Sequence, residues 1–403
     1  MLTGKSNKNI EKEDPMKLAD RVEKVKSSLT VVFDGMVKAK IFEDQKQGIT
    51  DLRKRTIALA AGEPDFGPPQ AAIDALHQKI DTPKNNRYSA VKGKELLLAA
   101  ISQWLKQTRK LEYSLEEIIA SSGAKMDIYL GSLTSVNPGD RVLIPSPYWT
   151  SYPDIIRMCD GEPVCKTWAE LEDLGNVLDQ ENIRVMILNS PNNPSGQVIS
   201  PEKLAQMAAI LADKDVLVIS DEVYWPITYA PNVHVSIAQF PGMKDKTLVI
   251  DGASKAFAMA GYRLGWAAGP KEWIAAMAKF QGQTTSCPST LSQEAVLAAL
   301  EKSAKDVEIM RQAYEIRLKK IVLPFAKELG LKYFEPGGAF YFFFKIPGRN
   351  DCYDFCLELL EKEKVGLTPG VAFGCKGWAR ISYAAASEEL TEAFARIKKF
   401  LGK

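Results

Sequence analysis

Four short stretches of this 403-residue chain carry side chains that could do chemistry together. The first is Asp251-Gly-Ala-Ser-Lys-Ala-Phe-Ala-Met-Ala-Gly-Tyr-Arg-Leu-Gly265. Most lysines are solvated, but Lys255 follows an apolar run and sits among small and apolar residues. Burial there lowers an amine's pKa and makes it a usable nucleophile, able to form an imine with a carbonyl. Arg263, eight residues on, can return to an anionic group. The second stretch is Ser220-Asp-Glu-Val-Tyr224, again straight after an apolar run. A buried carboxylate needs a positive partner, so Asp221 would suit a protonated ring nitrogen; it would equally suit a helix N-cap. The third is Ser121-Ser-Gly-Ala-Lys125, where a glycine turn opening a helix lets backbone N–H groups and the helix dipole face a phosphate. An ordinary strand-to-helix turn reads the same way. The fourth is Asn189-Ser-Pro-Asn-Asn-Pro-Ser-Gly196, a loop fixed by two prolines and a glycine that presents Asn192 and Asn193. An imine-forming lysine, an aspartate for a pyridinium nitrogen, and a phosphate held by a helix N-terminus and an arginine are the requirements of one kind of cofactor.

Such residues must be positioned by a sheet. From about residue 70 to 300 the chain alternates short apolar, β-branched runs with amphipathic helices. The runs Glu117–Ala120, Arg141–Ile144, Arg184–Leu188, Val216–Ile219 and Leu248–Ile250 read as strands buried on both faces. The helix Glu202–Ala212 is introduced by Ser200 as N-cap and Pro201 at its first position. This alternation predicts an α/β fold, a mostly parallel central sheet with helices on both faces. Ligands bind beyond the carboxyl ends of such strands, where the four motifs fall. Residues 16–48 read as helical, and Ala61–Pro69 as a rigid turn-rich crossing segment. A long helix, Ala304 to Leu329, ends at Gly330. Beyond it, Phe340–Phe344 and Trp378–Tyr383 read as strands flanked by helices at 351–363 and 387–401, a smaller α+β unit. The expected division is a disordered leader at 1–15, a small domain of both chain ends (16–60 and 320–403), and a large domain at 61–319.

Composition narrows the chemistry. An apolar fraction of 46% and a charged fraction of 25% are those of an ordinary soluble globular protein. With 52 basic against 50 acidic side chains there is no electrostatic footprint for nucleic acid or an anionic membrane. Only His77 and His234 are present, which argues against zinc sites and against Ser-His or Cys-His catalysis. The cysteines, Cys159, Cys165, Cys287, Cys352, Cys356 and Cys375, form no C-x-x-C pair and suit a reducing, cytoplasmic compartment. No apolar run reaches the length of a membrane span, and the polar first 15 residues lack the apolar core of a signal peptide.

The motifs also stand in a familiar order. AGEPDF at 61–66, RYSAVKG at 87–93, SGAK at 122–125, PSPYWTSYP at 145–153, NSPNNPSG at 189–196, SDEVY at 220–224, SKAFAMAGYRLGW at 254–266 and ARISYA at 379–384 together resemble the fold-type-I, class I aminotransferases, in family order from about Leu18 to the C-terminus. The resemblance implies pyridoxal 5′-phosphate bound as a Schiff base on Lys255, which then serves as proton-transfer base. It implies that Asp221 binds the pyridine nitrogen, that Asn193 and Tyr224 hydrogen-bond the ring hydroxylate, and that Trp149 stacks on the ring. Gly123, Ala124, Lys125, Ser254 and Arg263 would surround the phosphate, with Tyr88 reaching in from the neighbouring subunit of a homodimer. Arg380 would take the substrate α-carboxylate, helped by Asn193 and the Gly62 backbone. One position departs from the pattern: many relatives carry a phosphate-binding serine three residues before the lysine, where this chain has Gly252.

For this family the implied reaction is a ping-pong transfer between an L-amino acid and a 2-oxo acid. The segment Lys279–Met310 contains no arginine to meet a distal carboxylate. A bacterial-type branch of aspartate aminotransferases uses a lysine at the glycine turn with hydroxyls near the N-terminal helix; here these are Lys125, Ser28 and Thr30. That favours aspartate with 2-oxoglutarate, with an aromatic or prephenate aminotransferase as the alternative. A pyridoxal-phosphate lyase would share every cofactor residue. A cofactor-sensing regulator would need a nucleic-acid-binding module, for which the 15-residue leader offers no room.

Overall fold

The computed structural model describes residues 18–402, so the predicted leader at 1–15 lies outside them. The helix expected over 16–48 is broken. A short turn at Arg21–Lys24 is separated from the helix Leu29–Lys46 by extended backbone through Val25 and Ser28. The serines explain the break, since serine competes for helix bonds and favours the N-cap. Ser28 takes the N-cap position and its hydroxyl lies 2.9 Å from that of Thr30.

The chain then forms β1 (Ile57–Ala58), followed by seven strands that make one sheet: β2 (Ile118–Ser121), β3 (Arg141–Ser146), β4 (Glu162–Thr167), β5 (Ile183–Asn189), β6 (Leu217–Asp221), β7 (Thr247–Gly252) and β8 (Gly265–Ala268). Their order is β2-β8-β7-β6-β5-β3-β4. All pairings are parallel except those of β8, which runs antiparallel to both β2 and β7. This is the mostly parallel sheet that the alternating runs predict. The five expected strands are all present. β2, β7 and β8 are buried along their whole length, as strands covered on both faces must be. Ser200 caps the helix Pro201–Ala212 by accepting from the Lys203 N–H at 3.2 Å.

Register sets the site. Asn189 at the end of β5 pairs with Asp221 at the end of β6, and Asp221 pairs with Ile250 in β7. Three adjacent strands therefore deliver Asn189, Asp221 and the turn at Gly252 side by side, at their carboxyl ends. Gly265 brings a fourth piece in. A Cβ there would lie 2.2 Å from the Ala124 nitrogen and 2.6 Å from the Gly123 carbonyl carbon, so only glycine lets β8 press against the turn at 123–124.

The long helix predicted to Leu329 is interrupted. It runs as Ala304–Arg317, then a π turn at Leu318–Val322, then Leu323–Glu328. Pro324 has no N–H to continue the ladder and crowds the preceding turn, which accounts for the wider turn before it. Gly330, at φ +60°, follows its end. Four further strands follow: β9 (Tyr341–Lys345), β10 (Val365–Gly366), β11 (Thr368–Pro369) and β12 (Trp378–Ser382). β12 is the middle of a three-stranded sheet, β11-β12-β9, and β10 pairs in parallel with β1. That pairing, with the bond from the Ser382 N–H to the Leu59 carbonyl at 2.8 Å, ties the N-terminal segment to these C-terminal elements. It also carries Ala60 and Gly62 toward the large sheet.

Candidate active site

A cavity of about 460 Å³ opens where the sheet ends, the helix Leu29–Lys46 and β12 converge. Half-buried Lys255 enters from the turn after β7, and its amine donates to the Gly62 carbonyl. Burial pushes this amine down to about 8, against the opposing pull of the Glu63 carboxylate. Asp221 enters from β6. One of its oxygens accepts the Tyr152 hydroxyl at 2.6 Å and the other the Val223 N–H at 3.3 Å. Burial pushes its carboxyl up to about 6, with the Tyr152 hydrogen bond working the other way. A carboxylate so desolvated gains from any cation brought beside it.

One wall is a cradle for an anion. The helix Ala124–Leu133 begins at the cavity, and its first N–H groups have no partner within the helix. Gly123 holds φ +98°, and a Cβ on it would strike the Arg263 guanidinium at 2.6 Å. Arg263 is thus laid along the turn, donating to the carbonyls of Ala260 at 3.0 Å and Ser122 at 3.4 Å. Ser254 lines the same wall. At Gly252 a Cβ would meet Gly265 Cα at 3.1 Å, so the place of the departing serine is crowded as well as bare.

The opposite wall is Arg380, buried in β12 and held flat between aromatic faces. Its guanidinium lies 4.5 Å from the Tyr341 ring and 4.9 Å from that of Phe373. It donates to Asn193 Oδ1 at 2.9 Å and to the Ala60 carbonyl at 2.6 Å, while its Nε–H has no partner among the described residues. A buried, two-pronged cation with an unused donor is built for a carboxylate. Asn193 is fixed in turn by the bond from its N–H to Asn189 Oδ1 at 2.9 Å.

Most of the residues predicted for the site meet here: Thr30, Gly62, Ala124, Lys125, Trp149, Asn193, Asp221, Tyr224, Ser254, Lys255, Arg263 and Arg380 all line the cavity. Gly123 sits just behind Arg263, and Ser28 reaches the cavity only through Thr30. Lys125 lies 4.9 Å over the Trp149 ring, its amine pushed down by burial and then by the Arg263 charge. Tyr88 lies elsewhere, on the surface at 88% exposure. Sequence reasoning missed Asp34, Glu63, Tyr152, Asn189 and Tyr341, all on the cavity wall. Tyr341, whose hydroxyl is 2.7 Å from that of Tyr224, stands in the aromatic run Phe340–Phe344, which reads in sequence as core.

The arrangement offers an amine nucleophile, an anion cradle, a desolvated carboxylate and a carboxylate clamp in one cavity. Comparison with known proteins agrees in kind. The family model described as aminotransferase class I and II matches residues 54–397. A Petunia hybrida protein named bifunctional aspartate aminotransferase and glutamate/aspartate-prephenate aminotransferase is 40% identical over 96% of this chain and 84% of its own. The Bacillus subtilis aspartate aminotransferase is 35% identical, over 96% of this chain and all of its own. Among solved structures, Thermus thermophilus aspartate aminotransferase with maleate superimposes with a TM-score of 0.85 at 34% identity, covering 95% of this chain and 99% of that one.

Proposed function

Because the chain belongs to the class I and II aminotransferase family, we propose that it is a pyridoxal-phosphate-dependent aspartate aminotransferase, passing the amino group to a 2-oxo acid such as 2-oxoglutarate. The convergence of Lys255, Asp221, Arg380 and the Ala124 helix terminus on one cavity carries this reading. The residues fit the cofactor: the Gly123 turn with Arg263 and the free helix N–H groups takes a phosphate, and Asp221 takes a protonated ring nitrogen. When bound, the cofactor supplies an aldehyde for imine formation and a ring that accepts the electrons of a substrate carbanion.

The chain's own groups do the rest. Lys255 provides the amine that holds the cofactor and, once released, moves the proton at the substrate α-carbon; a pKa brought to about 8 leaves a useful fraction as free base near neutrality. Asp221 keeps the ring nitrogen protonated. Tyr224 and Asn193 would hydrogen-bond the ring hydroxylate, and Trp149 would stack on the ring. Arg380, with Asn193 and the Gly62 backbone, orients the α-carboxylate. Ser254, Lys125 and the backbone at Gly123 and Ala124 surround the phosphate with Arg263, and Tyr88 of a second copy completes that cup in a homodimer. We read the site as lying between a large domain, 61–319, and a small one formed by 16–60 and 320–403. The six free cysteines suit a cytoplasmic setting. Among the described residues no helix is long and apolar enough to cross a membrane.

For the substrate, a second carboxylate must be matched in a water-poor cavity. Lys125 and Thr30 on the wall of one cavity, with Ser28 bonded to Thr30, support aspartate, as does the maleate, a four-carbon dicarboxylate, in the Thermus structure's name. A half-reaction screen tests this. Aspartate and glutamate should bleach the visible absorbance of the bound cofactor, with amino groups conserved in the products rather than released as ammonia. A charge-assisted hydrogen bond is worth roughly 1.5–3 kcal/mol, so Lys125→Ala should lower aspartate kcat/KM by about tenfold to a hundredfold. Phenylalanine should be affected far less, and equal losses for both would remove the aspartate assignment. Prephenate belongs in the same screen as an acceptor, since the Petunia relative carries both names.

A further inference from the structure

Behind Asp221 and Lys255 lies a buried charge cluster in which neither takes part. Glu222 directly follows Asp221, and Asp251 lies four residues before Lys255 in β7. The Glu222 N–H donates to the Ile250 carbonyl at 2.9 Å, so the two acids come from abutting strand ends. Both side chains are 1% exposed. Carboxylates this close repel each other, and repel Asp221, in a poorly screened interior. Between them stands Arg109, the last residue of the helix Glu95–Arg109. It donates Nη1 to Glu222 Oε2 at 3.1 Å and Nη2 to Asp251 Oδ2 at 2.6 Å, and its guanidinium lies 4.8 Å from the Trp225 ring. The acids meet further hydrogen-bond donors, while the Arg109 Nε–H has no partner among the described residues. Asp251 also accepts the Gly252 N–H at 2.7 Å and the Trp225 indole N–H at 3.0 Å. Glu222 accepts the hydroxyls of Ser220 at 2.9 Å and Ser236 at 2.6 Å, and lies 3.2 Å from His234 Nε2.

We propose that Arg109 is a positioning residue for transamination: by bridging Glu222 and Asp251 it locks the strand end that presents Asp221 against the turn that presents Lys255, and balances the negative field on Asp221. The inference rests on the reading of those two residues given above. A guanidinium suits the task because its two prongs reach acids on two different strands at once, which an ammonium cannot reproduce. Removing one partner of a buried cluster leaves an uncompensated charge. Here that charge would act on Asp221, which is otherwise faced by the Tyr152 hydroxyl, Tyr224 and the Lys255 amine.

Two variants of the holoenzyme test it. Arg109→Met strips Asp251 of its cationic partner and leaves Glu222 only His234, whereas Glu222→Gln removes one acid and keeps its shape. The visible absorbance of bound pyridoxal phosphate, titrated with pH without substrate, reads the local field. Its midpoint should move up in Arg109→Met and down in Glu222→Gln, each by about half a unit, and the double variant should return toward wild type. In steady state, kcat for aspartate should fall about tenfold in Arg109→Met with KM changed less than about threefold, because Arg380 belongs to a different sheet. Packing alone does not give shifts of opposite sign. If Arg109→Met does not fold, Glu222→Gln decides by itself. A midpoint unmoved in Glu222→Gln, or wild-type kcat and KM in Arg109→Met, overturns the proposal. Borohydride fixation of cofactor at Lys255, measured on the same preparations, separates the two readings: absent fixation in the wild type sinks both, and fixation with unmoved midpoints sinks only the role of Arg109.

Discussion

At Lys255 burial competes with charge. Desolvation disfavours the ammonium and lowers the pKa from 10.5 to about 8, while Glu63 partly restores it. The consequence has a definite sign. Only the neutral amine attacks an aldehyde, and the neutral form grows as pH rises through the pKa. At pH 7 an amine with a pKa near 8 is roughly 10% neutral, against roughly 0.03% for an ordinary lysine. Capture of pyridoxal phosphate by the apoprotein should therefore speed up with pH, level off above about 8, and leave a borohydride-stable link. A capture rate still climbing steeply at pH 10, or a link that survives in Lys255→Ala, would contradict the assignment. Lys255 and Asp221 were legible because each comes within five residues of the end of a β-branched run, which marks a buried strand end. Asp34, Glu63 and Tyr341 were not. They reach the cavity from a helix, a turn and a second sheet, and nothing local in a run such as Phe340–Phe344 distinguishes a site wall from a core.

Among the elements, the pieces legible in sequence were those with a strong period. The five predicted strands and the capped helix Pro201–Ala212 stand where the pattern put them, whereas β4 and β8 left little trace. β4 is an edge strand with a single buried residue, so its composition is polar; β8 is four residues of small and aromatic type. Yet β8 carries a constraint that tests the geometry. Its first residue, Gly265, touches the 123–124 turn closely enough that a Cβ would overlap backbone atoms, which cannot swing aside as a side chain can. Gly265→Ala should push that turn off the sheet, costing about 1–3 kcal/mol of stability. Cofactor binding should weaken at least about tenfold, because the same turn and Arg263 form the anion cradle. Thermal unfolding with and without pyridoxal phosphate measures both effects. An alanine variant with unchanged cofactor affinity would mean that the 123–124 turn does not hold the phosphate.

For the whole molecule the question is whether one chain makes a complete site. Within a single chain Tyr88 is remote from the cavity it is expected to serve, and at 88% exposure it is among the most solvent-facing large side chains of the described residues. It lies just beyond the turn Pro83–Asn86, in a region where Ile80 and Leu96 are also exposed, at 52% and 72%. Exposed apolar side chains of this size near a tyrosine suit a subunit contact, and a self-complementary dimer is the commonest closed assembly. This expectation came from the resemblance alone, since no local pattern in one chain encodes a residue's distance from its neighbour's site. Complementation tests it without relying on a monomer. If Tyr88 donates to the phosphate of the partner's cofactor, Tyr88→Phe should weaken cofactor binding by about tenfold to a hundredfold, the range of a hydrogen bond to a charged group. Co-expression of Lys255→Ala with Tyr88→Phe then gives a decisive species. In the mixed dimer, the Tyr88→Phe subunit keeps its lysine and receives an intact tyrosine from its partner, so one full-affinity, borohydride-reactive site per dimer should reappear. If Tyr88 instead served its own chain, or served none, every lysine-bearing site in the mixed dimer would behave as in the Tyr88→Phe homodimer, and the shared-site arrangement would fall.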